Sequence, residues 1–281
     1  MARFDGKVVL VTGGASGIGL ATALGFARDG ATVIVGDIAD SRAGSGADGT
    51  AIEHVRLDVT SDGSFASVVD GIVSQYGRLD ILINNAGAGG TPLGIGEMDM
   101  TGWDATMALL LRSVALGTRL AVPAMIASGG GAIVNVASVA ALSAGHGPIA
   151  YSVAKAGVLH MTKVAAAQLA RHGIRVNAVC PGLILTGIFS SGVRSNYGNQ
   201  VLGDEIDAYM AETAHLAQPL ARAGRPEDVA EAMMFLASDA AQFVTGTHML
   251  VDGGLTVGPR HSWDPEHRRP ADHPLAKFEA T

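Results

Sequence analysis

The sequence predicts a doubly wound α/β domain built on a single parallel sheet of seven strands. Short runs rich in valine, isoleucine and leucine alternate along the chain with longer segments of helical period. This alternation is typical of βαβ units. The strand runs are apolar throughout, so we expect helices to cover both faces of the sheet.

Each strand candidate is a short apolar run that ends in turn-forming residues. The seven candidates span residues 7–14, 31–38, 54–60, 79–87, 131–138, 175–182 and 247–254. Helices are predicted between them, over residues 17–29, 62–76, 101–127, 149–171 and 226–237, where apolar residues recur at helical spacing. No linker divides this series, so residues 1–257 are predicted to form a single domain.

Two segments depart from the alternation. Residues 186–219 are polar and contain glycine, with a helical patch near 204–216. Residues 258–281 carry several prolines and many charges, which predicts an extended C-terminal arm. Three histidines of this tail, His261, His267 and His273, lack the spacing of a metal site, and no metal is predicted.

Composition narrows the class of protein. A net charge of -7 and the lack of a basic cluster argue against a nucleic-acid partner. The N-terminus lacks the charged and apolar regions of a signal peptide, and we identify no apolar run of membrane-spanning length. A single cysteine, Cys180, excludes an internal disulfide and fits a reducing compartment. We therefore expect a cytoplasmic protein with no membrane partner.

Three glycines follow the first strand candidate within the stretch TGGASGIG. Gly13, Gly17 and Gly19 lie where the first strand turns into the first helix. Glycine lets the backbone approach a pyrophosphate there, and the helix N-terminus supplies free amide groups for its charge. The turn therefore predicts a dinucleotide site, although the same glycines would also suit a tight turn alone.

Two features favour NAD over NADP. Asp37 ends the second strand candidate, where its carboxylate can accept hydrogen bonds from ribose hydroxyls and would repel a 2′-phosphate. Ser16 brings no positive charge that would attract such a phosphate. Asp58 and Val59 end the third strand candidate at the same edge of the sheet, where they are predicted to meet the adenine.

A tyrosine and a lysine stand four residues apart in YSVAK, residues 151–155. On a helix they share a face, and the ammonium of Lys155 beside the phenol of Tyr151 is expected to lower the pKa of the phenol. Such a phenol can exchange a proton with a substrate near neutral pH. Taken alone, the pair also fits a solvated lysine beside a half-buried tyrosine.

These motifs occur together and in one order along the chain. They comprise Thr12, Gly13, Gly17 and Gly19; Asp58 and Val59; the run 84–87; Ser138, thirteen residues before Tyr151; Tyr151 and Lys155; Pro181, Gly182 and Thr186; and the run 252–254. In this combination the chain resembles the single-domain short-chain dehydrogenase/reductases over residues 5–256. The resemblance implies a Rossmann fold and a hydride-transferring enzyme.

The resemblance also implies a mechanism. Tyr151 is expected to act as acid or base, Lys155 to lower its pKa and bind the nicotinamide ribose, and Ser138 to donate a hydrogen bond to the substrate oxygen. The substrate is expected to be a small alcohol or ketone, covered by a lid formed by residues 187–219. A homotetramer or homodimer is the implied assembly.

With NAD as cofactor, the resemblance assigns a set of binding residues. Asn85 is expected beside the ribose, and Ile184 and Thr186 at the carboxamide. The full set comprises Gly13, Ser16, Gly17, Ile18, Gly19, Asp37, Asp58, Val59, Asn85, Gly87, Tyr151, Lys155, Pro181, Gly182, Ile184 and Thr186.

One position departs from the family pattern. Leu110 stands where the family usually has an asparagine that supports a water linking Lys155 to solvent. Leucine forms no side-chain hydrogen bond. A backbone carbonyl could hold the water, or Ser113 on the same helix face could replace the asparagine. Otherwise the protein is a slow enzyme or a regulatory protein that only binds nucleotide.

The lid segment is largely apolar, which predicts an uncharged lipophilic substrate such as a steroid, a terpenoid or an alicyclic alcohol, unless its side chains pack onto the core. Its apolar residues are Ile188, Phe189, Val193, Tyr197, Val201, Leu202, Tyr209 and Met210, and its candidate basic anchors are Arg194 and His215. His146, between Ser138 and Tyr151, is a further candidate for substrate contact. The chief alternative enzyme is a 3-oxoacyl thioester reductase, which usually uses NADPH.

Overall fold

A computed structural model describes residues 2–39, 52–91, 94–188, 190, 199–213 and 216–264 of the chain. Its strands are β1 (Val8–Thr12), β2 (Thr32–Asp37), β3 (Glu53–Arg56), β4 (Ile81–Asn84), β5 (Gly131–Val136), β6 (Ile174–Pro181) and β7 (His248–Val251). They form one parallel sheet in the order β3-β2-β1-β4-β5-β6-β7. The predicted doubly wound, seven-stranded α/β fold is confirmed.

Helices cover both faces of this sheet. In the described residues they are α1 (Gly17–Arg28), α2 (Asp62–Tyr76), α3 (Met100–Met107), α4 (Ser113–Ala127), α5 (Ile149–Leu169), α6 (Gln200–Thr213) and α7 (Pro226–Ala237). α1 and α7 pack on one face, around Phe26 and Met233. α2, α4 and α5 pack on the other, around Phe65, Met125 and Ala166. Burial on both faces explains why residues 8–11 of β1 and 81–83 of β4 are continuously apolar, whereas the edge strand β3 is only partly buried.

The order of the strands creates a crevice at the centre of the sheet. β1 and β4 are neighbours, although β2 and β3 lie between them in the chain. Ligands of such sheets bind at the carboxyl ends of the strands, where the strand order reverses. Several predicted motif residues end their strands at this edge, namely Thr12, Asp37, Asn84 and Pro181, and the others lie in the loops and helices that follow.

The helix predicted over 101–127 is divided in the structure. α3 ends at Met107, and Ala108–Arg112 form a π-helical turn before α4 begins at Ser113. Such a turn adds a residue to the helical repeat and often occurs at functional sites. Leu110 is buried within it. The local irregularity therefore coincides with the position at which this sequence departs from the family pattern.

The run Met100–Ala127 is long and apolar enough to cross a membrane by length and composition alone. Its 28 residues include a window of mean hydropathy 1.5, so the expectation that no apolar run reaches this length is wrong. In the domain, Leu110, Val114 and Leu116 of this run are buried against the rest of the chain. Packing in a core explains their apolar character equally well.

The lid prediction is only partly covered by the structure. Phe189, Val193, Arg194, Tyr197 and His215 lie outside the residues whose side chains are described. α6 belongs to this segment and begins at Gln200, four residues before the predicted patch. Its side chains at Val201 and Tyr209 are 69% and 64% exposed, so these two do not pack onto the core.

The predicted C-terminal arm is described as far as residue 264. A 3-10 turn spans Arg260–Ser262, and the guanidinium of Arg260 pairs with the carboxylate of Asp264 at 2.7 Å. Residues 265–281, which include His267 and His273, lie outside the described part of the chain. The extended form of the arm therefore stays a prediction.

Candidate active site

The glycine-rich turn lies between β1 and the N-terminus of α1. Gly13 has a φ of +64°, and a Cβ there would lie 2.6 Å from the Cα of Ala86. A Cβ on Gly19 would collide with the carbonyl oxygen of Gly13. The turn is therefore closed to side chains, and only glycine allows the strand, the helix and the loop after β4 to approach this closely.

The N-terminus of α1 suits an anionic group. α1 begins at Gly17, with a φ of +53°, and its N-cap Ser16 makes no capping hydrogen bond through its side chain. The first amide groups of a helix have no partner within it and carry the positive end of the helix dipole. The amides of Gly17, Ile18 and Gly19 consequently fit the pyrophosphate of a dinucleotide.

Asn85 ties the glycine-rich turn to the neighbouring loop. Its side-chain amide donates to the carbonyl of Thr12 at 3.0 Å and to that of Gly13 at 2.9 Å. The hydroxyl of Thr12 accepts from the backbone amides of Asn85 and Ala86 at 3.0 and 3.1 Å. The amide hydrogens of Asn85 thus hold the turn in place, and its position beside the cofactor ribose stays a prediction.

Asp37 lies at the end of β2 and faces the same turn. Its carboxylate accepts hydrogen bonds from the backbone amides of Ala15 at 3.1 Å and Ala39 at 2.9 Å. The structure thus places a negative charge next to the glycine-rich turn, as the sequence predicts. The two backbone bonds show that Asp37 also supports the conformation of the turn.

Asp58 and Val59 follow β3 at the same edge. Hydrogen bonds from Thr60 lower the pKa of Asp58, which is exposed. Its carboxylate accepts from the hydroxyl of Thr60 at 2.7 Å. Val59 is buried, with 5% exposure. Asp58 therefore stays ionised at this edge, while Val59 contributes an apolar wall.

The loop after β6 closes the opposite side of the crevice. The amide of Gly182 donates to the carbonyl of Val251 at 3.0 Å. Ile184 is buried and forms an isolated bridge with Gly224. Thr186 reaches the glycine-rich turn, since a Cβ on Gly17 would lie 3.3 Å from its Cγ2. The loop that begins at Pro181 and the turn after β1 therefore meet across the crevice.

Ser138, Tyr151 and Lys155 come together on this side. Ser138 lies two residues beyond β5, and the other two lie on one face of α5. The side chain of Ser138 lies close enough to Tyr151 to lower the pKa of the phenol. The Nζ of Lys155 lies 5.6 Å from the centroid of the Tyr151 ring. The serine, tyrosine and lysine predicted from the sequence therefore form one cluster.

The electrostatics of Tyr151 differ from the sequence-based expectation. Burial raises the pKa of Tyr151 above its ordinary value, and the nearby side chain of Ser138 opposes this rise without reversing it. Lys155 is not among the groups that shift the pKa of Tyr151, so the expected lowering is not found. In the protein without ligands, Tyr151 is consequently a neutral phenol and a proton donor.

Lys155 is buried with a single described hydrogen-bond partner. Its Nζ donates to the main-chain carbonyl of Val136 at 2.7 Å, and the residue is 4% exposed. Burial lowers its pKa from 10.5 to about 8, because a desolvated ammonium is less stable than a desolvated amine. The charge of Lys155 is therefore sensitive to pH just above neutrality.

Leu110 lies next to this lysine. The side chain is 1% exposed, and a Cβ on Gly87 would lie 3.1 Å from its Cδ2 and 3.9 Å from the Nζ of Lys155. Ser113, the predicted substitute for the absent asparagine, donates its hydroxyl hydrogen to the carbonyl of Leu109 within its own helix. The carbonyl of Val136 is thus the described partner of Lys155, and the Ser113 hydroxyl is engaged elsewhere.

Two glycines flank Tyr151 and leave room for a substrate. A Cβ on Gly147 would lie 3.0 Å from the Cδ1 of Tyr151, and one on Gly90 would lie 3.6 Å from its Cβ. Both glycines belong to loops at the carboxyl edge of the sheet. His146 is exposed in the same loop as Gly147. The backbone at Gly90 and Gly147 therefore approaches the Tyr151 side chain closely.

Sequence reasoning missed three contributors to the site. The carbonyl of Val136 could not be assigned, because a backbone acceptor leaves no residue-type signal. Cys180 is fully buried and interacts electrostatically with both Tyr151 and Lys155. Its position directly before Pro181, a residue of the predicted site, was a signal in the sequence that Cys180 lies near the site. Gly90 was hidden in a glycine-rich loop. Within the described ranges, no group of three or more His, Cys, Asp or Glu is placed to hold a metal.

The doubly wound parallel sheet and the cluster at its carboxyl edge define the class of protein, a nucleotide-dependent oxidoreductase. A family model described as enoyl-(acyl carrier protein) reductase matches residues 13–256. This match covers most of the domain and includes the glycine-rich turn and the cluster of Ser138, Tyr151 and Lys155. The chain belongs to the short-chain dehydrogenase/reductase family.

Relatives are similar over nearly the whole chain. The 3-oxoacyl-[acyl-carrier-protein] reductase of Thermotoga maritima is 41% identical over 261 residues, covering 91% of this chain and 100% of that protein. The cis-4-hydroxycyclohexanecarboxylate dehydrogenase of Sinomonas cyclohexanicum is 41% identical over 259 residues, covering 90% and 98%. The crystal structure of levodione reductase superposes with a TM-score of 0.82 at 31% identity, covering 92% and 100%.

Proposed function

We propose that this protein is an NAD-dependent dehydrogenase that interconverts a lipophilic cyclic secondary alcohol and its ketone. The observation that carries the proposal is the cluster of Ser138, Tyr151 and Lys155 beside a glycine-rich turn that fits a dinucleotide. The cluster supplies a proton donor at the place where a substrate oxygen would lie, and the turn supplies a site for the cofactor.

The chain's own residues have distinct tasks in this reaction. In ketone reduction, Tyr151 gives its phenolic proton to the substrate oxygen, and in alcohol oxidation it takes the proton back. Ser138 donates a hydrogen bond to the same oxygen and stabilises negative charge as it develops. Lys155 would bind the nicotinamide ribose, and while it is protonated its charge would oppose the effect of burial on the phenol. A bound nicotinamide supplies the hydride acceptor or donor.

Asp37 supports NAD as the cofactor. Its carboxylate lies next to the glycine-rich turn, where it would accept hydrogen bonds from the adenosine ribose and repel a 2′-phosphate. The amides of Gly17, Ile18 and Gly19 would hold the pyrophosphate, and Thr186 lies close enough to Gly17 to reach the carboxamide side. The remaining predicted cofactor residues line the same edge of the sheet.

The substrate class rests on the space around Tyr151 and on the lid. Gly90 and Gly147 place backbone rather than side chains against the ring and the Cβ of Tyr151, which would let a substrate ring approach along these loops. The exposed apolar side chains of α6, including Val201 and Tyr209, would then cover the ring by burying their apolar surface on it. The cyclohexane ring in the name of the Sinomonas relative fits the same substrate class.

A second candidate is a 3-oxoacyl thioester reductase. The observation that favours it is the sequence identity to the Thermotoga reductase. This identity is 41%, the same as the identity to the Sinomonas dehydrogenase. The position of Asp37 argues against NADPH, which such reductases usually use. Cofactor preference therefore separates the two candidates directly.

The remaining features of the proposal concern the assembly. We expect a homotetramer, or a homodimer, in the cytoplasm, with residues 187–219 acting as the lid over the substrate. Exposed apolar residues on α5, such as Val153 and Val164, fit a helix face that packs against a second copy. Size-exclusion chromatography with light scattering measures the mass of the assembly and so the number of subunits.

The test is a panel of steroidal, terpenoid and alicyclic secondary alcohols, each supplied with NAD or NADP, and 3-oxoacyl thioesters supplied with the reduced cofactors. Tyr151→Phe is the control. Turnover of a cyclic alcohol with NAD that is lost in Tyr151→Phe supports the proposal. Thioester reduction with NADPH supports the second candidate. Cofactor binding without any turnover would identify a nucleotide-binding protein and overturn both.

A further inference from the structure

Arg56 is an exposed arginine at the end of β3, next to the predicted ribose site. β2 and β3 pair in parallel, and their register places Arg56 directly beside Asp37. The carboxylate of Asp37 is the group on which the proposed preference for NAD depends. The proposed reaction and its cofactor site assign no task to the arginine.

Both side chains leave the sheet on the face that carries α1. Val35 packs in the core of this face, and side chains alternate along a strand, so Asp37 points to the same face. Val55 packs against the core of the opposite face, so its neighbour Arg56 points towards α1. The arginine therefore shares one side of the sheet with the aspartate, whose carboxylate accepts from the amide of Ala15 in the glycine-rich turn at 3.1 Å.

The guanidinium of Arg56 reaches the carboxyl edge of the sheet. Its Nη1 donates to the main-chain carbonyl of Ile38 at 3.1 Å, and Ile38 directly follows Asp37 in the chain. Ile38 is 64% exposed, and Arg56 is exposed as well. A positive charge that ligands can reach thus lies within one residue of the carboxylate that would bind the ribose.

Most of the hydrogen-bonding capacity of this guanidinium is unused. It has five N–H groups, and the described part of the chain provides one hydrogen bond for them, the bond to Ile38. Within the same residues no ion pair joins Arg56 to Asp37. The two carboxylate oxygens of Asp37 accept backbone amides instead, from Ala15 and Ala39. Arg56 therefore keeps donors for a further partner.

Arg56 also lies close to the predicted adenine contact. Hydrogen bonds from Thr60 are the main cause of the lowered pKa of Asp58, and the charge of Arg56 contributes to the lowering. The arginine is consequently near both aspartates, Asp37 and Asp58, that would contact the adenosine half of a dinucleotide.

A guanidinium with unused N–H groups suits a phosphate, because it can donate two parallel hydrogen bonds and is permanently charged. We propose that Arg56 is a specificity-determining residue of the cofactor site, whose guanidinium can bind a 2′-phosphate on the adenosine ribose, and that the carboxylate of Asp37 prevents this in the wild type. The inference rests on the proposed function, because it needs a dinucleotide at this edge of the sheet.

Two opposing charges would then set the cofactor preference. The carboxylate of Asp37 repels a 2′-phosphate, and the guanidinium of Arg56 attracts it. Loss of the carboxylate should therefore do more than end the repulsion, because the arginine is then unopposed. Loss of both side chains should leave a site with little response to the 2′-phosphate.

The probes are two ligands that differ only at the 2′ position, adenosine 5′-monophosphate and adenosine 2′,5′-bisphosphate. Isothermal titration calorimetry gives their dissociation constants without any turnover. We expect the bisphosphate to bind about tenfold more tightly to Asp37→Asn than to the wild type. The double variant Asp37→Asn/Arg56→Gln should lose most of this gain. Asp37→Asn/Arg56→Lys should keep part of it, because lysine keeps the charge but not the paired donors.

Arg119→Gln, added to Asp37→Asn, is the matched control. Arg119 is an exposed arginine of α4, a helix on the opposite face of the sheet, and its loss changes the net charge equally. This control should keep the gain for the bisphosphate. The monophosphate shows whether Arg56 matters only for the local structure, because a displaced Ile38 would weaken both ligands.

Two results would overturn the proposal. One is a double variant Asp37→Asn/Arg56→Gln that binds the bisphosphate as tightly as Asp37→Asn does. The other is equal weakening of both adenosine phosphates in this double variant, because it would assign Arg56 a structural task alone. Selective loss of the bisphosphate, with the affinity for the monophosphate within about threefold, supports the proposal.

Failure of the proposed function gives a different result. If the wild type oxidises no alcohol of the panel but binds the monophosphate, the dehydrogenase proposal fails, and the affinities for the bisphosphate still decide the task of Arg56. If neither adenosine phosphate binds to any of these proteins, the nucleotide site is absent and the task assigned to Arg56 is overturned with it.

Discussion

Lys155 and Val136 are joined by a hydrogen bond of 2.7 Å from the Nζ of the lysine to the main-chain carbonyl of the valine. Val136 is the last residue of β5, the strand that leads to Ser138, and Lys155 lies one helical turn beyond Tyr151 on α5. One bond therefore connects the segment that carries the serine to the helix that carries the tyrosine. It also holds the ammonium beneath the phenol.

The burial of Lys155 should make stability depend on pH. Its pKa is lowered from 10.5 to about 8. Below both values the lysine is charged in the folded and the unfolded chain. Between them only the unfolded chain holds the proton, so the free energy of unfolding rises with pH across this window. Relative to Lys155→Met, we expect the wild type to gain about 3 kcal/mol across this window, measured by urea unfolding at successive pH values.

The comparison with Lys155→Met is needed because Cys180 acts in the opposite direction. The pKa of this thiol is raised from 9.0 to about 11, so the unfolded chain loses its proton first and stability falls with pH between these values. Both proteins contain Cys180, and their difference isolates the lysine. Parallel stability curves for the two proteins would contradict a depressed pKa of Lys155.

Tyr151→Phe should abolish turnover while leaving the fold intact. The phenylalanine fills the same space but has no proton to exchange, and we expect kcat to fall about a thousandfold. Because burial raises the pKa of Tyr151, oxidation by the wild type should accelerate towards alkaline pH, where more of the phenol is ionised. Steady-state rates across pH measure both effects. Substantial residual turnover in Tyr151→Phe would require another acid or base.

Strand placement was predictable because it depends on local patterns. The apolar runs of β1 and β4 mark strands buried on both faces, and the glycines after β1 mark the turn whose backbone approach requires them. The bond from Lys155 to Val136 was not predictable, because it depends on the distance between α5 and β5. The bonds from Asn85 to the glycine-rich turn were not predictable for a similar reason, since only the pairing of β1 with β4 brings its amide to the carbonyl of Gly13.

Leu110→Asn tests whether the departure from the family pattern matters. Leu110 is 1% exposed and packs against the loop of Gly87, so an amide there would be buried. We expect turnover to change less than about tenfold, and stability to fall by about 1–3 kcal/mol if the amide finds no partner. Leu110→Met is the matched control, because it keeps an apolar side chain of similar volume.

The Leu110→Asn substitution has two possible outcomes. A gain in kcat of several hundredfold in Leu110→Asn would show that the natural protein is catalytically impaired. A small change supports a relay that works through the backbone, with the carbonyl of Val136 as the partner of Lys155. The π-helical turn around Leu110 could not be foreseen, because the apolar run 107–111 gives no signal for an added residue in the helical repeat.

Asp37→Asn should shift the cofactor preference. Asparagine keeps an acceptor for the amide of Ala15 and removes the charge that would repel a 2′-phosphate. We expect the ratio of kcat/KM for NAD over NADP to fall about tenfold. Asp70→Asn, which removes an exposed carboxylate from α2, is the control and should leave the ratio unchanged. An unaltered ratio in Asp37→Asn would remove the argument for NAD.

Removal of residues 265–281 tests the C-terminal arm. Truncation after Asp264 keeps the ion pair with Arg260 that ends the described part of the tail. We expect the arm to reach a neighbouring subunit or to cap a site, so its loss should change the oligomer mass or raise the Michaelis constant for the alcohol. Light scattering and steady-state kinetics measure the two effects. If both stay at wild-type values, the arm has neither task.

The burial of Cys180 has a practical consequence for following the lid in solution. The chain has no other cysteine, and a fully buried thiol with a raised pKa reacts slowly with alkylating dyes. A cysteine introduced at an exposed position of α6, as in Tyr209→Cys, would therefore be the only rapidly labelled site. A single fluorophore there would report on the movement of α6 in a protein whose own cysteine remains in place.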